Sequence, residues 1–264
     1  MDKSRADVAL VERALAPSRE KAKALIIAGQ VYLGTKRIDK PGEMIDKQAE
    51  LTVKGDICPY VSRGGLKLEK AMKEFDLSAK GKICADIGAS TGGFTDCMLK
   101  NGAQKVYAID VGYGQLDWGL RNDRRVVVME RTNARYLKPD DFSEHIDMCS
   151  VDVSFISLKL IFPAIAACGI GEVVTLIKPQ FEAGKDKVGK KGVVKDPNTH
   201  IEVIENVFDY AKENGYYPKG LSHSPIKGPE GNIEYIALYG QEEVEFSTNI
   251  SKVVGEAHFF LDKN

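Results

Sequence analysis

The chain has 264 residues, 43% of them hydrophobic and 28% charged, with a formal net charge of −1. That is long enough for a full core plus a small second domain, in the composition of an ordinary soluble protein. The longest apolar run, residues 160–170, contains Pro163 and falls well short of the roughly 18 to 20 residues that span a bilayer, so no membrane partner is expected. The five cysteines are odd in number and none sits in a C-x-x-C pair, and the four histidines are scattered, so neither a disulfide framework nor a metal site is expected. The segment from Met1 to Arg5 leads into a charged amphipathic pattern without a signal peptide's apolar run, and a cytoplasmic location is expected.

Residues 5–15 read as a short amphipathic helix with Val8, Val11 and Leu15 on one face. Ala16-Pro17-Ser18 breaks it, and Ser18 is placed to N-cap a second helix that runs to Ala28 and stops at Gly29. Val31-Tyr32-Leu33 and Arg37-Ile38, separated by Gly34-Thr35, read as short strands, with another at residues 50–53. This first unit covers residues 1–60, and Lys54-Gly55-Asp56 with Pro59 marks the linker after it.

From residue 63 the pattern changes. Leu66, Leu68, Met72 and Phe75 space a leading helix, and strands follow near residues 83–87, 105–110, 126–130, 147–152 and 172–178. Helical patterns at 92–100, 115–121, 157–168 and 199–214 lie among them, and residues 216–224 and 233–239 alternate as an antiparallel, hairpin-like edge. Strands alternating with helices predict an α/β fold, a Rossmann-like, doubly wound and mostly parallel sheet that takes ligands beyond the carboxyl ends of its strands. The acidic residues 241–264 read as a terminal helix; the second domain is placed at 61–242 and the tail at 243–264, with no role assigned to the tail.

The segment Asp86-Ile-Gly-Ala-Ser-Thr-Gly-Gly-Phe-Thr-Asp96 reads as a strand, a glycine turn and a helix start. Gly88, Gly92 and Gly93 let backbone come close to a ligand, and the free N–H groups that open the helix suit a carboxylate or phosphate. The spacing is not the G-x-G-x-x-G that a dinucleotide's pyrophosphate needs. The methionine end of S-adenosylmethionine instead offers a carboxylate and a cationic amine, and Asp86 at the strand tip is the candidate for that amine. Ser90 and Phe94 belong to the same candidate cofactor loop. The next strand, Val106-Tyr107-Ala108-Ile109, ends in Asp110, where a carboxylate can accept hydrogen bonds from both ribose hydroxyls of an adenosine ligand.

Four further ionisable residues fall at strand ends or just ahead of the sheet: Lys67, Asp152, Lys178 and Glu234. Asp152 and Lys178 would flank the reactive end of the cofactor, where a methyl acceptor must sit. A lysine beside a like charge and away from water can lose its proton near neutral pH, as a base for a hydroxyl must. Charge is also uneven along the chain. Residues 178–195 carry six lysines against Glu182 and Asp186, and residues 63–82 carry Arg63 and five lysines against three acids, a distribution that fits a polyanionic partner.

Two resemblances are specific. Arg5-Ala6-Asp7-Val8-Ala9-Leu10, Ser18-Arg19-Glu20-Lys21-Ala22, Ile27-Ala28-Gly29-Gln30-Val31-Tyr32-Leu33 and Lys40-Pro41-Gly42 resemble the S4-like RNA-binding domain. The resemblance implies an α+β fold and RNA contacts at Arg5, Ser18, Arg19 and Lys23. Ser62-Arg63-Gly64-Gly65-Leu66-Lys67-Leu68, Asp152-Val153-Ser154-Phe155 and Ile177-Lys178-Pro179-Gln180-Phe181-Glu182 resemble the FtsJ-type ribose 2′-O-methyltransferases, whose Lys-Asp-Lys-Glu tetrad maps onto Lys67, Asp152, Lys178 and Glu234. The same resemblance places Asn133 near the adenine of S-adenosylmethionine and adds Arg63 to the RNA contacts. The two domains together resemble the TlyA family, also called hemolysin A, which implies 2′-O-methylation of cytidine in ribosomal RNA without a metal. Two other readings stand beside it. A base N-methyltransferase would carry an Asp/Asn-Pro-Pro-aromatic motif where this chain has Asp152-Val153-Ser154-Phe155, and the missing prolines and Lys178 argue against it. A non-enzymatic lytic or RNA-binding protein is opposed, as to lysis, by the short apolar runs.

Overall fold

The computed structural model describes residues 2–16, 18–27, 29–54, 58–228 and 230–261. Contacts divide the chain into two units, Met1–Ile57 and Cys58–Asn264.

The first unit contains β1 (Lys3–Arg5), α1 (Ala6–Glu12), α2 (Arg19–Ile27), β2 (Val31–Leu33), β3 (Lys36–Arg37), β4 (Met44–Asp46) and β5 (Leu51–Val53). β1 pairs antiparallel with β4, and β2 lies between β3 and β5 in a separate antiparallel sheet. α1 is shorter than residues 5–15 and is rotated from the expected face. It buries Ala6, Ala9 and Leu10, while Val11 and Leu15 lie at the margin of the core and Val8 is only half-buried. The physical reason is the close approach of α1 to α2, which small alanines on both helices allow and β-branched valines would resist. Ser18 does cap α2, its Oγ accepting a hydrogen bond from the Lys21 N–H at 3.3 Å. Strands β1 and β4 escape a periodicity reading because three residues show too little alternation. Pro17, Ala28, Gly55 and Asp56, named above in the helix break, helix end and linker, lie outside the described residues.

The second unit opens with α3 (Gly64–Glu74) and then builds a seven-stranded sheet from β6 (Ile83–Ile87), β7 (Lys105–Ile109), β8 (Val126–Met129), β9 (Met148–Val151), β10 (Glu172–Ile177), β11 (Tyr217–His223) and β12 (Tyr235–Gly240). Helices α4 (Gly93–Lys100), α5 (Trp118–Arg121), α6 (Phe162–Ala167), α7 (Pro179–Glu182), α8 (Pro197–Glu213) and α9 (Ile250–Leu261) connect or follow these strands. The strand order is β11-β12-β10-β9-β6-β7-β8; β6 to β10 pair in parallel, and β12 runs antiparallel to both β10 and β11. The alternation in each strand feeds two cores. Ala85, Ile87, Tyr107, Ile109, Cys149 and Val151 face α6, α8 and α9, whereas Cys84, Val106, Ala108 and Met148 face α3 and α4. Strands covered on both faces are apolar along their length, which is why they were readable as apolar runs.

The chain enters the sheet at β6, winds outward to β8 and returns at β9 on the other side of β6. This reversal leaves a crevice beyond the carboxyl ends of β6 and β9. The acidic tail also belongs to this unit: Val253, Val254, Ala257 and Leu261 of α9 pack into the core with α8. A chain shortened to residue 242 should therefore lose at least about 3 kcal/mol of unfolding free energy, since each buried Val or Leu side chain contributes roughly 1.5 to 3 kcal/mol. Urea unfolding of the two chains measures the difference.

Candidate active site

Two adjoining clefts occupy the crevice. The first, about 260 Å³, is lined by Arg63, Lys67, Gly88, Ser90, Gly93, Phe94 and Asp152 among others. The second, about 330 Å³, is lined by Gly88, Ser90, Asp110, Asn133, Asp152 and the 153–156 loop among others. They share Gly88, Ser90 and Asp152, and each is near the lower size limit of roughly 300 Å³ for small-molecule sites, so together they suffice for one.

The glycines serve the protein's own packing as much as any ligand. Gly88 has φ +88°, and a Cβ there would stand 2.4 Å from the backbone oxygen of Asp152, so only glycine lets the β6 turn reach the end of β9. Gly93 opens α4 against α3, where a Cβ would meet Ser62 Oγ at 2.3 Å.

Asp86 lines the first cleft and is held from within the protein. Its side chain is buried, with the residue 0% exposed. Oδ2 accepts hydrogen bonds from Thr95 N at 2.8 Å and Thr95 Oγ1 at 2.7 Å, and Oδ1 accepts one from Ser150 Oγ at 3.2 Å. Asp86 thus lines the first cleft while tying β6 to α4 and β9. Burial pushes its carboxyl up to about 6 in spite of these hydrogen bonds.

Asp110 follows β7 and accepts hydrogen bonds from Ser90 N at 2.8 Å and Gly112 N at 2.7 Å, one on each oxygen. Each oxygen keeps a second lone pair, and the side chain lines the second cleft. Asn133 lines the same cleft while its Oδ1 accepts a hydrogen bond from Arg135 N at 3.1 Å, combining the cleft and turn readings.

The four tetrad residues form two buried ion pairs. Lys67 Nζ lies 2.6 Å from Glu234 Oε2, and Lys178 Nζ lies 2.5 Å from Asp152 Oδ1. Each lysine therefore contacts a carboxylate rather than the like charge expected to activate it. Glu234 sits one residue ahead of β12 rather than within it. Lys178 also donates a hydrogen bond to Ser154 Oγ at 3.0 Å. The Asp152 contact is a charge contact without hydrogen-bond alignment: Oδ1, though buried, accepts no hydrogen bond among the described residues. Asp152 lines both clefts with its side chain 20% exposed, so Lys178 is held at the place where the two clefts meet.

Sequence reasoning missed the supports of this centre. Thr95, Ser150 and Ser154 lie inside or beside the quoted motifs, but hydroxyls carry no periodic signal. Glu182 is another: it accepts hydrogen bonds from Ser157 Oγ at 2.6 Å and Leu158 N at 2.8 Å, and burial raises its carboxyl above the ordinary range. It fixes the loop that carries Ser154 and Phe155, the latter with φ +63° and 91% exposed beside Phe181.

In the first unit, Arg5 and Arg19 converge on the buried Asp7. Arg5 Nε and Arg19 Nε each lie 2.9 Å from an Asp7 oxygen, and the arginine side chains remain 44% and 49% exposed. The hydrogen bond from Arg5, foremost, holds Asp7 down at about 2. Two cations on one carboxylate leave a net positive, partly exposed surface. Lys23 is half-buried on α2 and Arg63 is exposed at the start of α3.

The parallel sheet, the switch-point clefts and the paired lysines and carboxylates define a methyltransferase of the S-adenosylmethionine-dependent fold. Residues 60–241 match the FtsJ-like methyltransferase family and residues 4–51 match the S4 domain. The chain belongs to the FtsJ-like methyltransferases, in the family whose members are named TlyA and hemolysin A. The 16S/23S rRNA (cytidine-2′-O)-methyltransferase TlyA of Mycobacterium tuberculosis is 46% identical over 88% of this chain and 88% of its own length. Hemolysin A of Brachyspira hyodysenteriae is 45% identical over 84% of this chain and 93% of its own. A solved structure from Streptococcus thermophilus, described as a candidate hemolysin, covers 100% of this chain and 98% of its own at 48% identity, with a TM-score of 0.79. Among the described residues no helix is long and apolar enough to cross a membrane.

Asp86 yields a stability test. Its folded value, about 6, lies above the unfolded 3.8, so the native state binds the proton more tightly and the ionised form carries a cost that is complete above about pH 6. As pH rises from about 4 to 7, the unfolding free energy of the wild type should fall by roughly 2 to 3 kcal/mol relative to Asp86→Asn. Urea titrations across that range measure this, and parallel curves for the two proteins would contradict it.

Proposed function

We propose that this protein is an S-adenosylmethionine-dependent ribose 2′-O-methyltransferase that acts on cytidine in ribosomal RNA, in the cytoplasm. The observation that carries the reading is the pair of buried lysine–carboxylate contacts, Lys67 with Glu234 and Lys178 with Asp152, beside the switch-point clefts. The division of labour follows the proposed domains, residues 1–60 for RNA and 61–242 for chemistry, with the tail closing the larger core. The substrates in the name of the tuberculosis relative, 16S and 23S rRNA, supply the nucleic-acid class.

S-adenosylmethionine, when bound, supplies a methyl group on a sulfonium and leaves as a neutral thioether. Asp110 holds the ribose diol of this cofactor with the lone pairs that Ser90 and Gly112 leave unused. Gly88, Ser90, Gly92, Gly93 and Phe94 shape the cleft for its methionine end, and Asn133 borders the adenine side. Asp86, which lines the first cleft, is the carboxylate for the cofactor's amine, with Asp152 beside it.

The acceptor ribose lies against Lys67 and Lys178. Lys178, having first released its own ammonium proton to solvent, takes the 2′-hydroxyl proton as the oxygen attacks the methyl carbon, while Asp152 and Ser154 hold its Nζ in place; Lys67 and Glu234 fix the ribose and the local charge. In-line placement of oxygen, carbon and sulfur supplies most of the acceleration, because no charge beyond the departing proton must be stabilised. Arg5, Ser18, Arg19, Lys23 and Arg63 meet RNA.

Lys178→Arg keeps a cation but offers no group that sheds a proton at working pH. Single-turnover methyl transfer from labelled cofactor to ribosomal RNA should collapse while cofactor binding persists; a rate near wild type would remove Lys178 as the base. Asp110→Ala should weaken cofactor binding by about 1 to 3 kcal/mol, because both the diol and the Ser90 and Gly112 N–H groups lose an acceptor. Calorimetry reads that change directly.

A further inference from the structure

The lysine-rich segment after α7 gathers part of its charge in one place. Lys191 and Lys195 join Lys227 and His258 around a third cleft of about 410 Å³, against a single carboxylate, Glu230. Lys227 also lines the cleft that contains Lys67 and Asp152, so the two hollows meet at one side chain.

The loop between Lys191 and Lys195 is held from inside the protein. Asn232, 1% exposed, accepts a hydrogen bond from Val194 N at 3.0 Å and donates one from Nδ2 to Gly192 O at 2.9 Å. His200 on α8, fully buried, sets Nε2 3.0 Å from Val194 O. Asn232 stands two residues ahead of Glu234, so one turn fixes both a tetrad carboxylate and the lysine-bearing loop. Buried side chains that satisfy loop backbone groups make the charge above them preorganised, and less ordering is left for a ligand to impose.

We propose that this third cleft is a phosphodiester subsite that grips the RNA backbone next to the ribose presented at Lys67 and Asp152; it rests on the methyltransferase reading above. The lining suits a phosphate rather than a base. Apart from His258 and Glu230 it offers ammonium groups and aliphatic side chains, with no Phe, Tyr or Trp among the described residues to stack a base. Lysines bind phosphate as point charges, without regard to sequence. Continuity with the acceptor cleft selects a strand that already has one ribose in place.

The test uses the full chain, a short single-stranded oligocytidylate for binding, and ribosomal RNA for methyl transfer. Lys191→Glu/Lys195→Glu should lower the slope of log K against log salt by about 1.4, the value for two lost phosphate contacts on a single strand, and raise KM for RNA about tenfold. Cofactor affinity should not change. Lys212→Glu, an exposed reversal at the end of α8 just ahead of β11, at the end of the sheet away from the clefts, is the control and should alter neither slope nor KM. The milder Lys191→Gln/Lys195→Gln decides the matter if the reversal fails to fold, and it should show the same loss of slope. An unchanged slope and KM in the folded glutamine variant overturns the subsite while leaving the methyltransferase reading intact, as does an equal effect from Lys212→Glu. A wild-type chain that transfers no methyl to any ribosomal RNA overturns the methyltransferase reading instead, and the salt slope still decides whether the cleft binds phosphate.

Discussion

Everything at the reacting centre depends on one backbone approach, that of the turn after β6 to the end of β9. The space a Cβ of Gly88 would fill belongs to the Asp152 carbonyl. Because the two strands pair directly, the approach sets Asp152 in the mouth of both clefts, and the register of β9 with β10 then brings Lys178 beside it. A larger residue at position 88 would separate the strand tips, and the ion pair would lose its geometry before any ligand arrived.

Around that point the protein buries polar groups that an apolar core would do without. A buried ion pair such as Lys67 with Glu234 is weak evidence of stability, since desolvation of both charges offsets their attraction. Its persistence at strand ends, next to a cleft, is better explained by what it does for a ligand. The supports behind the cleft work through hydrogen bonds instead. Thr95 and Ser150 hold Asp86, and Glu182 accepts from the Ser157 hydroxyl and the Leu158 N–H, each bond holding a loop in one conformation. Functional charge is thus carried on strand ends, and the loops between them are fixed by hydroxyl and carboxylate contacts one layer behind.

The sheet was legible because its strands are apolar on both faces and its helices amphipathic, so period alone separated them. The tetrad was legible through three short motifs, and the two domains through two distinct patterns. Pairing was not legible: nothing in the order of residues says that Lys67 meets Glu234, a partner that arrives only after the chain has made six more strands. What holds Asp86 was not legible for a related reason: a carboxylate at a strand tip looks the same in sequence whether or not, as here, it also accepts hydrogen bonds from Thr95 nine residues on. The face of α1 was misread because alanines that allow close helix packing carry a weaker apolar signal than the valines beside them.

The first unit applies the same device to a different end. Asp7 is buried and accepts from two arginines, so one carboxylate orients two guanidinium groups while leaving much of each exposed. A carboxylate held ionised down to about pH 2 remains a fixed anchor at any working pH, and the positive surface it organises does not depend on titration. At the tetrad, by contrast, each lysine has one carboxylate to itself and is almost fully enclosed. Sharing one acid between two exposed bases leaves charge available to a polyanion, whereas one acid for one enclosed base leaves a near-neutral pocket. The first arrangement suits long-range attraction of RNA, the second the local handling of a single hydroxyl proton, and the chain builds each on a separate core.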